Sequence, residues 1–481
     1  MNINLPDLAA GSSTTGGMQM ESVAELRKAL EAGYGTDVAT LTGGGALRIQ
    51  SLDKTMMATI QENKHFRLFN LIAKGNATAT VDEWTEQSGV GGFLGGSTNT
   101  ESGTIAAATG DYARRVGTVK YLMTRREVTL VQSLQNTIAD SEAVEQQNGA
   151  KQLLTDAEFL CFEGDSSVVS TEFDGIEVQI ASLGSSDHVL DAQGASLASI
   201  DLINKAAATI SGYGNFGTPT HLFMSQSTQS DFDTGLDPAW RVALDNQPNS
   251  IMLGSPVSGI RTSWGNIAAV PDVFIRDEAQ QMPFQVGFAA LAVANDTFKP
   301  ASVTPVATVD NASSQFTAAR AGLYYYLVTG VNAKGQSTGV ISTQVTVAAG
   351  KQVALTIAAS VGGAETGYVI YRGRQNGTND VTDFRQMARV AKAGATTVYT
   401  DLNRDIPGAT SAYILNCNPG DSAINWRQLL PMLKFPLYPT VSATIPWAQL
   451  MFGYLRIAKR KHHVVIKNIV PNGAVWRPFT V

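Results

Sequence analysis

The sequence predicts an α+β fold into which an all-β sandwich is inserted, and three observations carry that prediction. Apolar residues recur at helical spacing at Val131, Leu134 and Ile138 and again at Leu153, Leu154, Ala157 and Leu160, with Gln, Asn, Asp and Glu between them. Short strand and helix patterns then alternate as far as Lys299. From Val303 to Tyr413 the helical period disappears and β-branched, Tyr, Gly and Ala residues dominate. A chain of 481 residues exceeds what one core organises, so several domains are expected.

Taken in order, Met1 to Lys54 reads as an arm. Its first twenty residues lack a basic start and a continuous apolar run, which speaks against a secretory signal. Ser22 to Ala32 has helical spacing, with Ser22 as N-cap and Glu25 three residues on. Apolar residues from Met57 to Ile72 should pack on the main core. Thr78 to Trp84 reads as a strand leading to a glycine-dense tip, Gly89 to Gly96, and a long polar return. Arg125 and Arg126 are read as the start of a helix running to Phe162, with a break near Gly149. Asp174 to Leu183 reads as a strand, Leu197 to Ile210 as a helix closed by Gly212 and Gly214, Thr220 to Met224 as a strand before a helix near Ser227, and Gly259 to Arg276 as two strands turning at Gly265 and Asn266.

In the β-rich segment the strand candidates are Gly322 to Val331, Val340 to Val347, Gln352 to Ala358, Thr366 to Arg372, Arg385 to Val390 and Thr396 to Thr400, at sandwich spacing. The runs YYYLVTGVNAKGQS (324–337) and TGYVIYR (366–372) resemble a fibronectin type III or bacterial immunoglobulin-like module. Trp426 to Phe435, Leu450 to Ile457 and His463 to Val470 resume the earlier style, so the module sits inside a host domain. Phe435 to Leu455 carries no charge, but Pro436, Pro439 and Pro446 interrupt it, and it reads as a buried strand-rich stretch rather than a membrane span.

Chemical motifs are sparse. Thirty-five Lys and Arg against 41 Asp and Glu give a net charge of -6, which leaves no global basic field for wrapping nucleic acid. The two cysteines, Cys161 and Cys417, fit core positions better than a disulfide framework. The glycine tip is no dinucleotide fingerprint, since Leu94 falls where the third glycine belongs, and no Gly-Lys-Ser/Thr makes it a P-loop. His462 and His463 adjoin, but neighbouring strand residues point to opposite faces and make a poor chelate. No G-x-S-x-G elbow occurs, and Asp82-Glu83 and Glu142 to Glu145 read as solvated carboxylates. Neither a catalytic residue, a metal ligand nor a cofactor site is expected.

A resemblance can be read from residues in a fixed order: TATVDEW (78–84), the glycine tip, the return through RRVGTVK (114–120), and the helix ending in DAEFLCFEGD (156–165) with Gly175 and Ile176 beyond it. This order resembles the major capsid proteins of tailed bacteriophages, the Hong Kong 97-like fold. The resemblance implies an N-terminal arm (1–54), a peripheral domain (55–182) with an extended loop (78–122) and a spine helix (125–162), an axial domain and return (183–299), an inserted sandwich (300–414) decorating the outer surface, and a C-terminal part of the peripheral domain (415–481).

It also implies a shell of hexamers and pentamers around double-stranded DNA, found in the virion and assembled in the bacterial host cytoplasm, with no membrane partner. No long charged helical segment precedes the fold, so a separate scaffolding protein is expected, together with a portal and a decoration or cement protein. Trp84, Phe93, Leu94, Arg114 and Arg115 are the candidate contacts with neighbouring subunits, since the tip cannot build a private core. Arg456, Lys459, Arg460, Lys461 and Lys467, with His462 and His463, form either a patch facing DNA or an acidic neighbour, or a solvated turn. Some family members cross-link their loops through a Lys–Asn isopeptide bond; no lysine lies between Lys74 and Lys120, so none is expected from this loop. Two other readings stay open at this point: a surface adhesin binding through the β module, and a polysaccharide-active enzyme carrying it as an accessory.

Overall fold

The computed structural model describes residues 60–135, 140–235, 257–283, 296–439 and 442–479; the expected arm, including the Ser22 to Ala32 helix, lies outside them. The elements belong to one compact unit, Ile60–Gln135 with Ser141–Val481. After a one-turn helix α1 (Leu68–Leu71) come strands β1 (Ala73–Asn76), β2 (Val81–Gly89), β3 (Asp111–Thr118) and β4 (Lys120–Thr129), then α2 (Leu130–Leu134) and the long α3 (Ser141–Glu163). Helix α4 (Ile176–Ala181), β5 (Val189–Asp191), α5 (Asp201–Ser211), β6 (His221–Met224), α6 (Gln226–Gly235), β7 (Gly259–Thr262) and β8 (Gly265–Pro271) follow. The β-rich segment contributes β9 (Ser302–Val309), β10 (Gly322–Tyr324), β11 (Tyr326–Asn332), β12 (Gly335–Ile341), β13 (Val345–Val347), β14 (Lys351–Ala358), β15 (Gly367–Gly373), β16 (Phe384–Ala391) and β17 (Thr396–Asp401). The chain closes with β18 (Thr410–Leu415), β19 (Ile424–Pro436), β20 (Thr444–Ile457) and β21 (Val464–Ile469).

Two sheets build the host. A four-stranded sheet in the order β1-β19-β20-β4 packs against α3, and Leu153, Ala157, Cys161 and Phe162 of that helix meet Trp426, Met451 and Leu455 of the sheet in one core. A six-stranded sheet in the order β5-β21-β18-β6-β8-β7 packs against α5 through Ile203, Ala206, Ala207 and Ile210, spaced three and four apart as an amphipathic helix requires. Both cysteines are buried and free, as small core residues.

The inserted segment is a sandwich of β12-β11-β15-β16 against β17-β14-β9. Its strands show how a period of two can serve two cores. Tyr326 and Val328 on β11 and Tyr368 and Ile370 on β15 face the sandwich interior. Leu327, Val331, Val369 and Tyr371 face the other way and bury Val168 and Val169 of the host. The seam is extended by the ion pair from Arg389 to Glu172 at 3.0 Å, by Arg276, which donates to the Gln386 side chain at 3.0 Å, and by Trp476, whose Nε1 donates to the Asp383 carbonyl at 3.0 Å. Inside the sandwich Arg372 is fully buried and is held by Asp401 at 2.6 Å and Asn403 at 2.7 Å.

Several expectations need correction. The helix expected from Arg125 begins at Ser141, because residues 120–129 alternate exposed and covered side chains and pair with Thr444 to Gly453 of β20, so that a sheet partner overrides the helical pattern. Among the described residues α2 lies between the two, capped by Thr129, whose hydroxyl accepts from the Gln132 amide at 3.3 Å, and residues 136–139 of the expected helix lie outside the described ones. Nor does α3 break at Gly149, which lets the Gln449 side chain approach and donate to the Gln146 carbonyl at 2.7 Å. Asp174 to Leu183 is a helix rather than a strand, with Ile176 and Ile180 buried one turn apart. The 300–414 boundary cuts through β18, and the segment after 414 is divided: β19 and β20 join the four-stranded sheet, while β21 joins the six-stranded one beside β18. Strand β9 escaped notice because its burial alternates around Thr, Ser and Pro rather than along an apolar run.

Candidate functional site

The only two-stranded sheet among the described residues that projects a long connection is the β2–β3 hairpin, whose register runs from Val81 opposite Thr118 to Gly89 opposite Asp111. Strand alternation divides β2: Asp82, Trp84 and Glu86 are partly covered by the body, while Val81, Glu83, Thr85 and Gln87 are exposed.

The covered face meets a row of cations. Asp82 accepts from Arg427 Nε at 2.9 Å, from Arg427 Nη2 at 3.3 Å and from the Tyr454 hydroxyl at 2.6 Å, with Arg456 Nη1 at 3.7 Å. These groups converge because Arg427 and Tyr454 are cross-strand partners in the β19–β20 register and Arg456 lies two residues further on. Trp84 packs against the host core, and the Arg456 guanidinium stands 5.7 Å from the Trp84 ring centroid. Four residues beyond Asp82, Glu86 accepts from Arg460 at 2.8 Å and from Arg115 at 3.0 Å, while Lys461 reaches the Ser88 carbonyl at 3.4 Å. Arg460 also donates to the Ser182 hydroxyl at 2.9 Å. Burial works to raise the Asp82 carboxyl, but hydrogen bonds from Arg427 and Tyr454 and the charges of Arg427 and Arg456 outweigh it and hold the group below its usual range. Charge-assisted bonds of this kind contribute about 1.5–3 kcal/mol each.

Shape adds to charge at Gly117, the cross-strand partner of Asp82, where the Tyr454 ring fills the space a Cβ would occupy. Beyond this root the hairpin leaves the body. At the tip Val90 is 87%, Phe93 80%, Leu94 77% and Ile105 89% exposed, a concentration of bare apolar surface on one loop. Gly91, Gly92 and Gly95 all have positive φ, a conformation that a side chain would strain.

The expected site residues therefore separate. Phe93 and Leu94 stand clear of their own subunit. Trp84 does not, since it is partly covered and packs against its own subunit's core. Arg114 pairs with Glu83 at 3.3 Å and Arg115 with Glu86, both within the hairpin. The basic cluster is largely spent inside the chain: Arg456 on Asp82 and on the Asn425 side chain at 3.1 Å, Arg460 on Glu86, Lys467 on Glu177 at 2.5 Å, and Lys461 on a backbone carbonyl. Lys459 alone of the five is in the exposed class. Four of the five bases thus make contacts within the chain. His463 is fully covered and accepts from the Asn416 amide at 3.2 Å. Asp82, expected to be a solvated carboxylate, is instead partly covered and ion-paired, and sequence reasoning missed Glu86, Arg427, Tyr454 and Gly117; the acid spacing on β2 and the later run of bases were visible, but only the fold brings them together.

A cavity of about 210 Å³ lies in the seam between host and sandwich, lined by Glu163, Asp165, Glu177, Arg276, Arg389 and Lys467 among others. Arg276 pairs with Glu163 and Lys467 with Glu177 within the host, while Arg389 reaches from the sandwich to Glu172. Among the described residues no cluster of His, Cys, Asp and Glu is arranged to hold a metal, and no helix is long and apolar enough to cross a membrane.

No protein-family model matches the chain. It is 27% identical over 476 residues, 94% of its own length and 96% of the relative's, to a "Putative major capsid protein" of Enterococcus phage phiEF24C. Among solved structures it is similar to the capsid of a native GTA particle, with a TM-score of 0.46 and 8% identity over 89% of this chain and 97% of that one. It is also similar to the capsid of Myoviridae phage XM1, with a TM-score of 0.42 and 8% identity over 87% and 97%.

Proposed function

We propose that the chain is the major capsid protein of a tailed bacteriophage, a structural subunit and not an enzyme, many copies of which assemble into an icosahedral head shell. The observation that carries this reading is the collinear 27% identity, over nearly the whole of both chains, with a phage protein described as a capsid subunit. The geometry supplies a mechanism. A shell subunit buries surface against several copies of itself, and closed symmetry lets each contact be modest because it is repeated. The hairpin tip offers apolar side chains with no burial at home, held out by a root that is fixed by charge and shape.

In this reading the four-stranded sheet with α3 and the hairpin corresponds to the peripheral domain, spine helix and extended loop, and the six-stranded sheet to the axial domain. The sandwich lies on the outer surface, firmly seated on the host through Val168 and Val169. The protein resides in the virion; assembly in the host cytoplasm, a separate scaffolding protein, a portal and a decoration protein are parts of the proposal. DNA contact is non-specific and does not depend on Arg456 or Arg460, whose charges are already paired.

Electron microscopy of the expressed chain, with and without a co-expressed scaffolding protein from the same phage genome, tests the reading. Closed shells, capsomer rings or tubes are expected; a monodisperse monomer under every condition would overturn it.

A further inference from the structure

We propose that the root of the β2–β3 hairpin is a two-pin latch, in which Asp82 and Glu86 position the projecting loop. It deepens the shell reading by assigning regulation to the same hairpin, but the latch is a property of the single chain. The first pin is Asp82 between Arg427, Arg456 and the Tyr454 hydroxyl, and the second is Glu86 between Arg460 and Arg115. The two carboxylates lie four residues apart on one face of one strand, so together they fix both the position and the direction of β2; a single pin would leave it free to pivot.

Like charges make the first pin sensitive to its acid. Arg427 and Arg456 are close enough that burial and then the Arg427 charge lower the Arg456 pKa, and the Asp82 carboxylate is what reconciles them. Without it two partly covered guanidiniums on β19 and β20 are left uncompensated beneath the hairpin, and β2 loses the group that holds it there. The seat is also steric: Gly117 opposite Asp82 leaves room for the Tyr454 ring, so a side chain there would lift β3 while every charge stays in place. The residues act through the hairpin and are positioning residues. Because Asp82 is held ionised below the usual carboxylate range, a mild fall in pH does not release the Asp82 pin. Ionic strength and competing carboxylates, including those of a neighbouring copy, do.

The test uses the full-length unassembled chain with spin labels at Thr85→Cys, on the exposed face of β2, and Val361→Cys, fully exposed on the sandwich. Asp82→Asn with Glu86→Gln removes both pins, and Gly117→Ala unseats the hairpin without touching a charge. The parent is expected to give one narrow distance distribution at low salt. Both variants are expected to broaden it at least twofold, to raise amide exchange at least tenfold in residues 81–89 and 111–118, and to leave the α3 amides protected as before. An unchanged distribution and unchanged hairpin exchange in the double variant would overturn the latch. So would loss of protection throughout the chain in both variants, which marks a general structural role. Neither readout requires shells, so failure of the latch and failure of the capsid reading are separable.

Discussion

Glu158 shows how a single buried residue ties the structure to pH. Fully covered on α3, it accepts from the Leu68 and Phe69 amides at 2.7 Å each and so caps α1. Burial, and then the nearby Asp272 carboxyl at the end of β8, push Glu158 up to about 8; burial raises Asp272 as well. The folded state therefore holds a proton that the unfolded chain releases above the ordinary glutamate value of 4.5. Stability is greatest below that value and falls as pH rises towards 8, by about 1.4 kcal/mol per pH unit for one group. Chemical denaturation across this range is expected to show the decline, and Asp272→Asn to flatten it. His463 acts in the opposite direction. Burial, followed by the charges of His462 and His188, lowers it to about 3, so stability present above the ordinary histidine value of 6.5 is lost as pH falls towards 3. His463→Gln is expected to remove that acid slope, read in the same titration. Neither window was legible in the sequence, where Glu158 is one carboxylate on a polar helix and His463 one of an adjacent pair; burial decides both, and burial is a property of the fold.

At the scale of elements, periodicity located most of what the chain builds. Strand β14 and the helix α5 were legible because each buries one regular face, and β11, β15, β16 and β17 because they are rich in β-branched and aromatic residues, whereas β12 and β13 were merged into one strand from Val340 to Val347. Strand β4 was not legible, since its Arg125-Arg126 pair and the apolar spacing that follows also suit a helix, and only pairing with β20 decides between them. The same limit misplaced the edge of the inserted module, because β18 resembles a sandwich strand but pairs with β6 and β21. Deleting Val303 to Tyr413 removes most of β18, a central strand of the six-stranded sheet, and is expected to abolish folding. Deleting 302–403 spares β18 but uncovers Val168 and Val169, each worth about 1.5–3 kcal/mol when buried. That shorter deletion is expected to fold with a melting temperature lowered by several degrees, as circular dichroism would show. Unchanged melting would mean that the seam contributes nothing.

For the whole molecule, the central matter is what covers the hairpin tip. Its glycines and its lack of lysine were legible from the start, and the structure adds a root fixed by charge with a bare apolar end. Phe93→Asp with Leu94→Asp is expected to leave the melting of the free chain unchanged, because both side chains already meet solvent, while sedimentation shows no shells. Shells of the parent chain are expected to dissociate to a single band in denaturing gels, since the tip carries no amine for a covalent ladder. The most direct measurement is a cryo-electron-microscopy map of those shells at side-chain resolution. The account predicts Phe93 and Leu94 buried against an adjacent copy, with Asp82 and Glu86 still paired to their own subunit; a tip folded back on its own chain would contradict it.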